Sequence, residues 1–513
     1  MEIQKNVQLN NRYKILTYLK TIVKYLLILY IFLLPIQTRF IYYQAMLNNG
    51  EWEYGTKSLY ATEILLLIII LLYIIGAVKK IFESEVPKPR FLQTAKGNLK
   101  NPLISLPIAL LFWSAFSILW SYDKSLAWYR WTVLLEGIIL YLILISNFQF
   151  LISNHPALNE GQNHDAQNYK KNKFSSAVII ALIAGVALQS LLAIYQFATQ
   201  QVIANKWLGM AGHIPETLGS SVVETSLRRW LRSYGSLPHP NILAAYLGIG
   251  FLIFLFFYSK NSNNPEKESA PKDEFKKRGI KILKTFAVLI LAIAILFTFS
   301  RAAWLGIIFA GIIFIFSNRK RFFDLSPTNI GFAIFFIFLI FLFREPIHTR
   351  LKGENRLEKK SNHEHILSYK EGFEIIKANP FLGIGIGNYT LVLYNKNSTL
   401  PSYSYQPSHN FFMLLWAELG IIGLVTFIIF LFAIIKRIFM SRFNATLLKQ
   451  RCDKDRNETM DKESEDPYPR RQIALLVFLL ILMLFDHYFW SLYFGVILWW
   501  ITIGILISPI RDL

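Results

Sequence analysis

Three polar residues stand beside apolar segments of this chain, and their side chains suit chemistry on a phosphate-bearing substrate. His409 precedes a long apolar run, Arg301 lies at the polar break of another run, and Arg232 lies in a segment bounded by Gly and Pro. A guanidinium binds phosphate oxygens with two parallel hydrogen bonds and keeps its charge at any physiological pH. A neutral imidazole can accept a proton from a hydroxyl as a general base. Together the three residues indicate a transfer reaction at an anionic group.

The same three residues also have ordinary structural interpretations. His409 could cap a helix at the membrane interface, Arg301 could extend to the lipid headgroups, and Arg232 could be a solvated loop charge. For His409 the helix start has a further consequence, because backbone N–H groups there repel a proton on the imidazole. With arginines nearby as well, we expect His409 to be neutral near pH 7.

Other polar residues are weaker candidates for the same chemistry. His239 could be the base, but its position between two prolines favours a structural role. Asp486 and His487 could line the route of an acceptor or cap an interfacial turn. Glu136 lies inside an apolar run, where a carboxylate is a functional candidate, although pairing with Arg130 or with a cation of another span would also explain it.

The composition is that of a protein embedded in a membrane. Of 513 residues 54% are hydrophobic, and several apolar runs reach the ~20 residues that cross a bilayer as a helix. The net charge of +21 does not indicate a nucleic-acid partner, because most Lys and Arg fall in alternate loops, as the positive-inside rule predicts. The single cysteine, Cys452, excludes an intrachain disulfide and gives no sign of a metal site built on cysteines.

The apolar runs predict an all-α polytopic membrane protein with about twelve transmembrane helices and a long external loop before the tenth. The run from Ile282 to Ser317 is too long for one span, so we place a turn at its polar break, Ser300-Arg301. The predicted spans lie near residues 21–36, 59–78, 103–120, 128–148, 175–198, 241–258, 282–299, 302–317, 329–343, 411–438, 473–487 and 492–508.

The distribution of basic residues predicts that both termini are cytoplasmic. The long loop 344–408 would then be external, with a helix from His365 to Ala378 that lies flat on the membrane or caps a cavity. The inner loops are rich in Asn, Lys, Glu and Asp and are predicted to be solvated connectors; they are 149–174, 259–281 and 443–472.

Four segments together resemble the motifs of one family, the O-antigen ligase-like membrane glycosyltransferases that share the Wzy_C domain. His409-Asn410, nine residues and then Gly420 to Gly423 fit the family's HNx9GxxG motif. The other three segments are Ser300–Gly306 (SRAAWLG), Arg232–Asn241 (RSYGSLPHPN) and Asn379–Asn388 (NPFLGIGIGN). All four occur in the family's order, which makes the resemblance more specific than any one motif would. Together they cover roughly residues 230–435.

The resemblance implies transfer of a glycan from undecaprenyl pyrophosphate to an acceptor hydroxyl, with inversion at the anomeric carbon and without a metal or cofactor. It implies that Arg232 and Arg301 hold the donor's pyrophosphate and that His409 is the catalytic residue. The acceptor would be a glycan or a lipid, and membrane lipids would surround the enzyme. Further residues predicted to bind substrate are Arg229, His239, Asn241, Asn410 and Asp486.

The same reasoning divides the chain and places it in the cell. The site would lie on the periplasmic side of a bacterial inner membrane. The predicted parts are transmembrane helices 1–5 with their loops at 1–228, a catalytic core with the external loop at 229–440, a cytoplasmic polar linker at 441–472 and a transmembrane hairpin at 473–513.

Two alternative functions remain open at this level. A polymerase of polysaccharide repeat units would use the same donor and the same motifs, and would differ only in its acceptor. A solute transporter is an alternative of another class, but it should carry ionisable groups near the bilayer midplane and repeated halves. The candidate residues here cluster at one surface instead, which favours the enzyme.

Overall fold

The computed structural model describes residues 2–83, 100–149, 164–260, 271–317, 327–456 and 468–508. Parts of the three predicted inner connectors lie outside the described residues. They include residues 457–467 of the predicted polar linker. The helices are α1 Glu2–Leu33, α2 Ala61–Glu83, α3 Pro102–Ser117, α4 Lys124–Gln149, α5 His164–Thr199, α6 Pro240–Lys260, α7 Pro271–Phe297, α8 Arg301–Ser317, α9 Pro327–Leu342, α10 Arg344–Lys352, α11 Arg356–Ala378, α12 Tyr389–Lys396, α13 Phe411–Arg456, α14 Tyr468–Phe485, α15 Tyr488–Ser491 and α16 Tyr493–Ile507.

Several of these helices have the length and composition of membrane spans. In the described ranges five are both long and apolar enough to cross a bilayer: Ala61–Val78, Pro102–Trp120, Lys124–Ser146, Phe174–Thr199 and Phe411–Met440. Shorter apolar helices cover Pro240–Leu255, Ile282–Phe297, Arg301–Phe316 and Tyr493–Ile507. The chain is therefore a mostly helical, multi-pass membrane protein, and the count of twelve spans stays a prediction.

Short strands are present that the prediction of an all-α fold omits. The described loops contain three antiparallel pairs: β1 Arg39–Tyr43 with β4 Lys57–Tyr60, β2 Met46–Leu47 with β3 Gly50–Glu51, and β5 Val222–Glu224 with β6 Arg229–Leu231. These strands are two to five residues long. Alternation of polar and apolar residues cannot be recognised over so few positions, so sequence reading missed them.

The helix in the long loop begins earlier than predicted. It runs from Arg356, not His365, to Ala378. The prediction followed apolar spacing, but the first turns of α11 carry polar residues, of which Glu358 is buried. One side of α11 lines a cavity and packs on α13. The structure therefore agrees with the predicted alternative in which this helix caps a cavity.

The core joins distant parts of the chain through large aromatic side chains. Trp500 of α16 is buried and packs against Tyr141 of α4 and Phe430 of α13, with ring centroids 5.2 and 5.7 Å away. Extensive contacts also join α8 to α14 and α3 to α13. This packing fixes the helix ends that meet around the cavity.

A backbone break at Gly420 divides α13. Gly420 has φ 67° and ψ −174°, so the carbonyl oxygens just before it lose their helical partners. The glycine-rich turn at 379–388 satisfies them: Ile384 N donates to Ala417 O (3.0 Å), and Gly385 N donates to Glu418 O (2.9 Å). Two segments that resembled separate family motifs thus form one structural unit.

Replacement of Gly420 by Ala should destabilise the protein strongly. Its φ of 67° is one that L-residues rarely adopt, and an added Cβ would lie 1.9 Å from Phe381 O. We expect a loss of at least about 2 kcal/mol and a several-fold lower yield of folded protein. Gly311→Ala is the matched control, because nothing lies within 4 Å of an added Cβ there. Thermal unfolding of both variants in detergent tests this, and equal stability of the two would show that the break is dispensable.

Candidate functional site

A cavity of about 1200 Å³ lies where the starts of α6, α8 and α13 meet the end of α14. Its wall includes most of the residues singled out from the sequence, namely Arg232, His239, Asn241, Arg301, His409 and Asp486. Residues far apart in sequence therefore share one chamber, as the resemblance implies. Its wall does not include Arg229 or Asn410.

Arg232 directly follows strand β6, and its side chain is buried. Its Nε donates to Thr298 O (2.7 Å), and its Nη2 donates to Asn241 Oδ1 (2.6 Å). The Nδ2 of Asn241 in turn donates to Asp486 Oδ2 (3.1 Å). Burial and the neighbouring Arg350 lower the pKa of Arg232, but an arginine starts so high that it keeps its charge. A hydrogen-bonded chain thus connects this cation to a buried carboxylate.

Arg301 begins α8 at the turn that the sequence predicted. Its Nη2 donates to Asn362 Oδ1 (2.9 Å), and its Nη1 lies 3.8 Å from Glu358 Oε2. About one third of its side chain is exposed to the cavity. The guanidinium is therefore held from one side by α11 and keeps free donors for a ligand.

Arg350 of α10 is another arginine in the wall, and it was not among the residues predicted from the sequence. Its Nη1 donates to both oxygens of Glu358, at 2.7 and 2.5 Å, and its Nε donates to Phe299 O (2.9 Å). No local signal distinguishes it from the other basic residues of the same loop. The contact with Phe299 joins residues that are 51 positions apart.

The turn between α7 and α8 is held in a strained conformation by these arginines. Phe299 has φ +48°, which is unusual for a residue with a Cβ, and it is fully buried. Arg232 and Arg350 donate to the carbonyl oxygens of Thr298 and Phe299. Because the turn directly precedes Arg301, the two arginines also fix where the third one points.

His409 lies at the cavity wall, partly buried, among other imidazoles. Its ring centroid is 4.3 Å from that of His365 and 5.5 Å from that of His487. Burial lowers the pKa of His409 to about 4, which makes it neutral at pH 7. On the sequence alone, the neutral state was attributed to the helix start and the nearby arginines. That explanation is wrong, because the lowered pKa of His409 results from burial of its side chain. Asn410, not His409, caps α13, because its Oδ1 accepts from Met413 N (3.0 Å).

His239 has both ring nitrogens engaged. Its Nδ1 accepts from Asn241 N (3.1 Å), so the ring proton lies on Nε2, which is 3.1 Å from Ser221 Oγ. An imidazole in this arrangement has no free lone pair to accept a substrate proton. Its surroundings support the structural role that the flanking prolines suggested.

The remaining predicted residues have definable places. Asn410 Nδ2 donates to Leu484 O (3.1 Å), which joins the start of α13 to the end of α14. Arg229 lies in β6 opposite Glu224. The suggested pairing of Glu136 with Arg130 is wrong, because Arg130 donates to the carbonyl oxygens of Ser491 and Tyr54.

Three residues of the wall form a set that could hold a metal ion. His409, Asp486 and His487 each place one ligand atom within 4.8 Å of the others. Two imidazoles and a carboxylate suit Zn²⁺. Two of the three are already engaged, since Asp486 accepts from Asn241 and from His487 N, and Nδ1 of His487 lies 2.6 Å from Ser491 Oγ. The sequence missed this set because nothing local relates position 409 to position 486.

The state of His409 predicts the pH dependence of any reaction in which it accepts a proton. With a pKa of about 4, the neutral base is lost only as the pH falls through that value. We expect activity to be constant between pH 5.5 and 8 and to drop by about tenfold per pH unit below about 4. Initial rates across this range, with unfolding followed at each pH, provide the measurement. A midpoint near the ~6.5 of a solvated histidine would contradict the buried base.

Comparisons with known proteins support the family resemblance. The sequence model of Wzy_C, described as O-antigen ligase, matches residues 286–428, a range that includes Arg301, Arg350, Glu358 and His409. An O-antigen ligase of Salmonella typhimurium strain LT2 is 27% identical over 192 residues, which cover 34% of this chain and 46% of the relative. The match thus spans less than half of that relative. These findings confirm the resemblance read from the four motifs: residues 286–428 match the Wzy_C domain, and the chain is similar to an O-antigen ligase.

Proposed function

We propose that this protein is a glycan ligase that moves a glycan from undecaprenyl pyrophosphate to the hydroxyl of an acceptor. The observation that carries the proposal is the cavity, in which Arg232 and Arg301 share one wall with the uncharged His409. The arginines suit a pyrophosphate, and the histidine suits a hydroxyl nucleophile. The name of the Salmonella relative favours a ligase over a polymerase, which would run the same chemistry on a growing chain.

The proposed reaction is a single displacement at the anomeric carbon. The acceptor oxygen forms the new bond to that carbon as the bond from the carbon to the pyrophosphate oxygen breaks. His409 accepts the hydroxyl proton, and undecaprenyl pyrophosphate leaves with its charge held by Arg232 and Arg301. A leaving group stabilised in this way needs no general acid.

The proposed setting is the periplasmic face of a bacterial inner membrane, with both termini cytoplasmic. A carrier lipid could then keep its tail among the spans while its headgroup enters the cavity. Membrane lipids would be direct neighbours, since many apolar side chains of α2, α8 and α9 are exposed. The alternate distribution of basic loops supports this orientation.

Reconstitution of the purified full chain with donor and acceptor tests both the function and its independence of metal. We expect transfer in proteoliposomes that contain an undecaprenyl-pyrophosphate-linked glycan and a lipid A-core acceptor, at the same rate with and without EDTA. Wild-type protein that binds the donor but transfers to no hydroxyl acceptor would contradict the enzyme. Loss of activity in EDTA that Zn²⁺ restores would assign a metal to His409, Asp486 and His487 instead.

A further inference from the structure

Glu358 contributes a negative charge to a group of positive ones. It is almost completely buried, its oxygens accept from Arg350, and one of them lies 3.8 Å from Arg301 Nη1. Arg232 joins the same group, because it and Arg350 bind neighbouring carbonyls of one turn. We call Arg232, Arg301 and Arg350 the arginine cluster. Three guanidiniums and one carboxylate leave this cluster with two net positive charges.

The chemistry proposed above changes the charge of the ligand during the reaction. A lipid–pyrophosphate–glycan is a diester with one acidic oxygen on each phosphorus, so it carries about two negative charges. Transfer of the glycan leaves a monoester whose extra oxygen titrates near neutral pH, so the product approaches about three negative charges. The product is therefore held more strongly by any positive site than the donor is.

We infer that Glu358 sets the charge of the arginine cluster to match a pyrophosphate diester and so lets the more highly charged product leave. This inference rests on the proposed function. The Coulomb energy scales with the product of the charges, so a cluster with one more positive charge would tighten binding of the monoester more than binding of the diester. Glu358 thereby limits product retention, while it still gives Arg350 a partner inside the wall.

Glu358→Gln removes the charge and keeps the shape and one acceptor oxygen. We expect it to tighten binding of farnesyl pyrophosphate, a monoester probe, about tenfold, and binding of its N-acetylglucosaminyl diester only about fivefold, since the added interaction scales with ligand charge. Turnover should fall as product release slows. Glu374→Gln is the matched control, because Glu374 lies on the same helix, is exposed and faces Lys396 at 3.6 Å. Calorimetric titration of both probes into the purified full chain gives the two ratios.

A second pair of variants keeps the test decisive if Glu358→Gln alone does not fold. Arg350→Gln leaves the cluster with one net positive charge, and Arg350→Gln/Glu358→Gln restores two. The double variant should therefore bind the monoester more tightly than Arg350→Gln does, about tenfold by the same scaling. A structural role for Glu358 alone predicts no such gain.

The outcomes separate this inference from the proposed function. If wild-type protein binds neither probe, the pyrophosphate site itself is wrong. Wild-type protein that binds both probes establishes the pyrophosphate site. The charge-matching role of Glu358 is then wrong if loss of its carboxylate, alone or together with Arg350→Gln, tightens binding of neither probe or tightens binding of both probes equally. A larger gain in affinity for the monoester than for the diester supports the charge-matching role of Glu358.

Discussion

Replacement of His409 by Ala should reduce glycan transfer by about 10²- to 10⁴-fold, the usual worth of a general base, while donor binding stays near the wild-type level. The residue is free for this role, because the cap of α13 is supplied by Asn410. Burial keeps its pKa at about 4, so the base is ready at neutral pH. Single-turnover transfer and donor titration on the same purified sample give the two quantities.

Folding must be separated from chemistry in this experiment. His363→Ala is a matched control, because His363 is exposed on α11 and does not belong to the cavity wall. Both variants should unfold at temperatures close to the wild type. A correctly folded His409→Ala protein that transfers glycan at the wild-type rate would exclude the base role, and a low yield with normal specific activity would identify a purely structural residue.

Replacement of Arg232 or Arg301 by Lys should weaken donor binding by about ten- to a hundredfold, which corresponds to the loss of one charge-assisted hydrogen bond. Lysine keeps the charge but loses the planar fork. At Arg232 the fork spans Thr298 O and Asn241 Oδ1, so the turn before Arg301 should loosen as well. At Arg301 the fork engages Asn362 and stays partly open to the cavity, so protein levels in the membrane should be normal.

The two variants are informative because they should differ. Arg232→Lys should lower both stability and donor affinity, whereas Arg301→Lys should lower affinity and transfer alone. Arg356→Lys, at an exposed position on α11, is the matched control. Donor titration and thermal unfolding of the three proteins make the comparison, and unchanged donor affinity in both cavity variants would remove the pyrophosphate assignment.

The sequence by itself determined the protein class, the break between α7 and α8 and the principal polar residues of the site. These features are local: apolar runs mark helices in lipid, and Ser300-Arg301 interrupts such a run visibly. Motif spacing was also enough to predict the resemblance to the O-antigen ligase-like family, which the comparisons support. The pairing of the glycine turn with the break at Gly420 was not visible, although both segments were recognised separately.

Only the tertiary structure decided the composition of the site. Arg350 reaches the carbonyl of Phe299, and Glu358 reaches both Arg350 and Arg301, across loops whose course the sequence does not encode locally. The neutrality of His409 follows from burial by His365 and other distant neighbours, not from its place at a helix start. Charge balance and pKa depend on which side chains share a low-dielectric space, and packing of the whole chain is what brings them there.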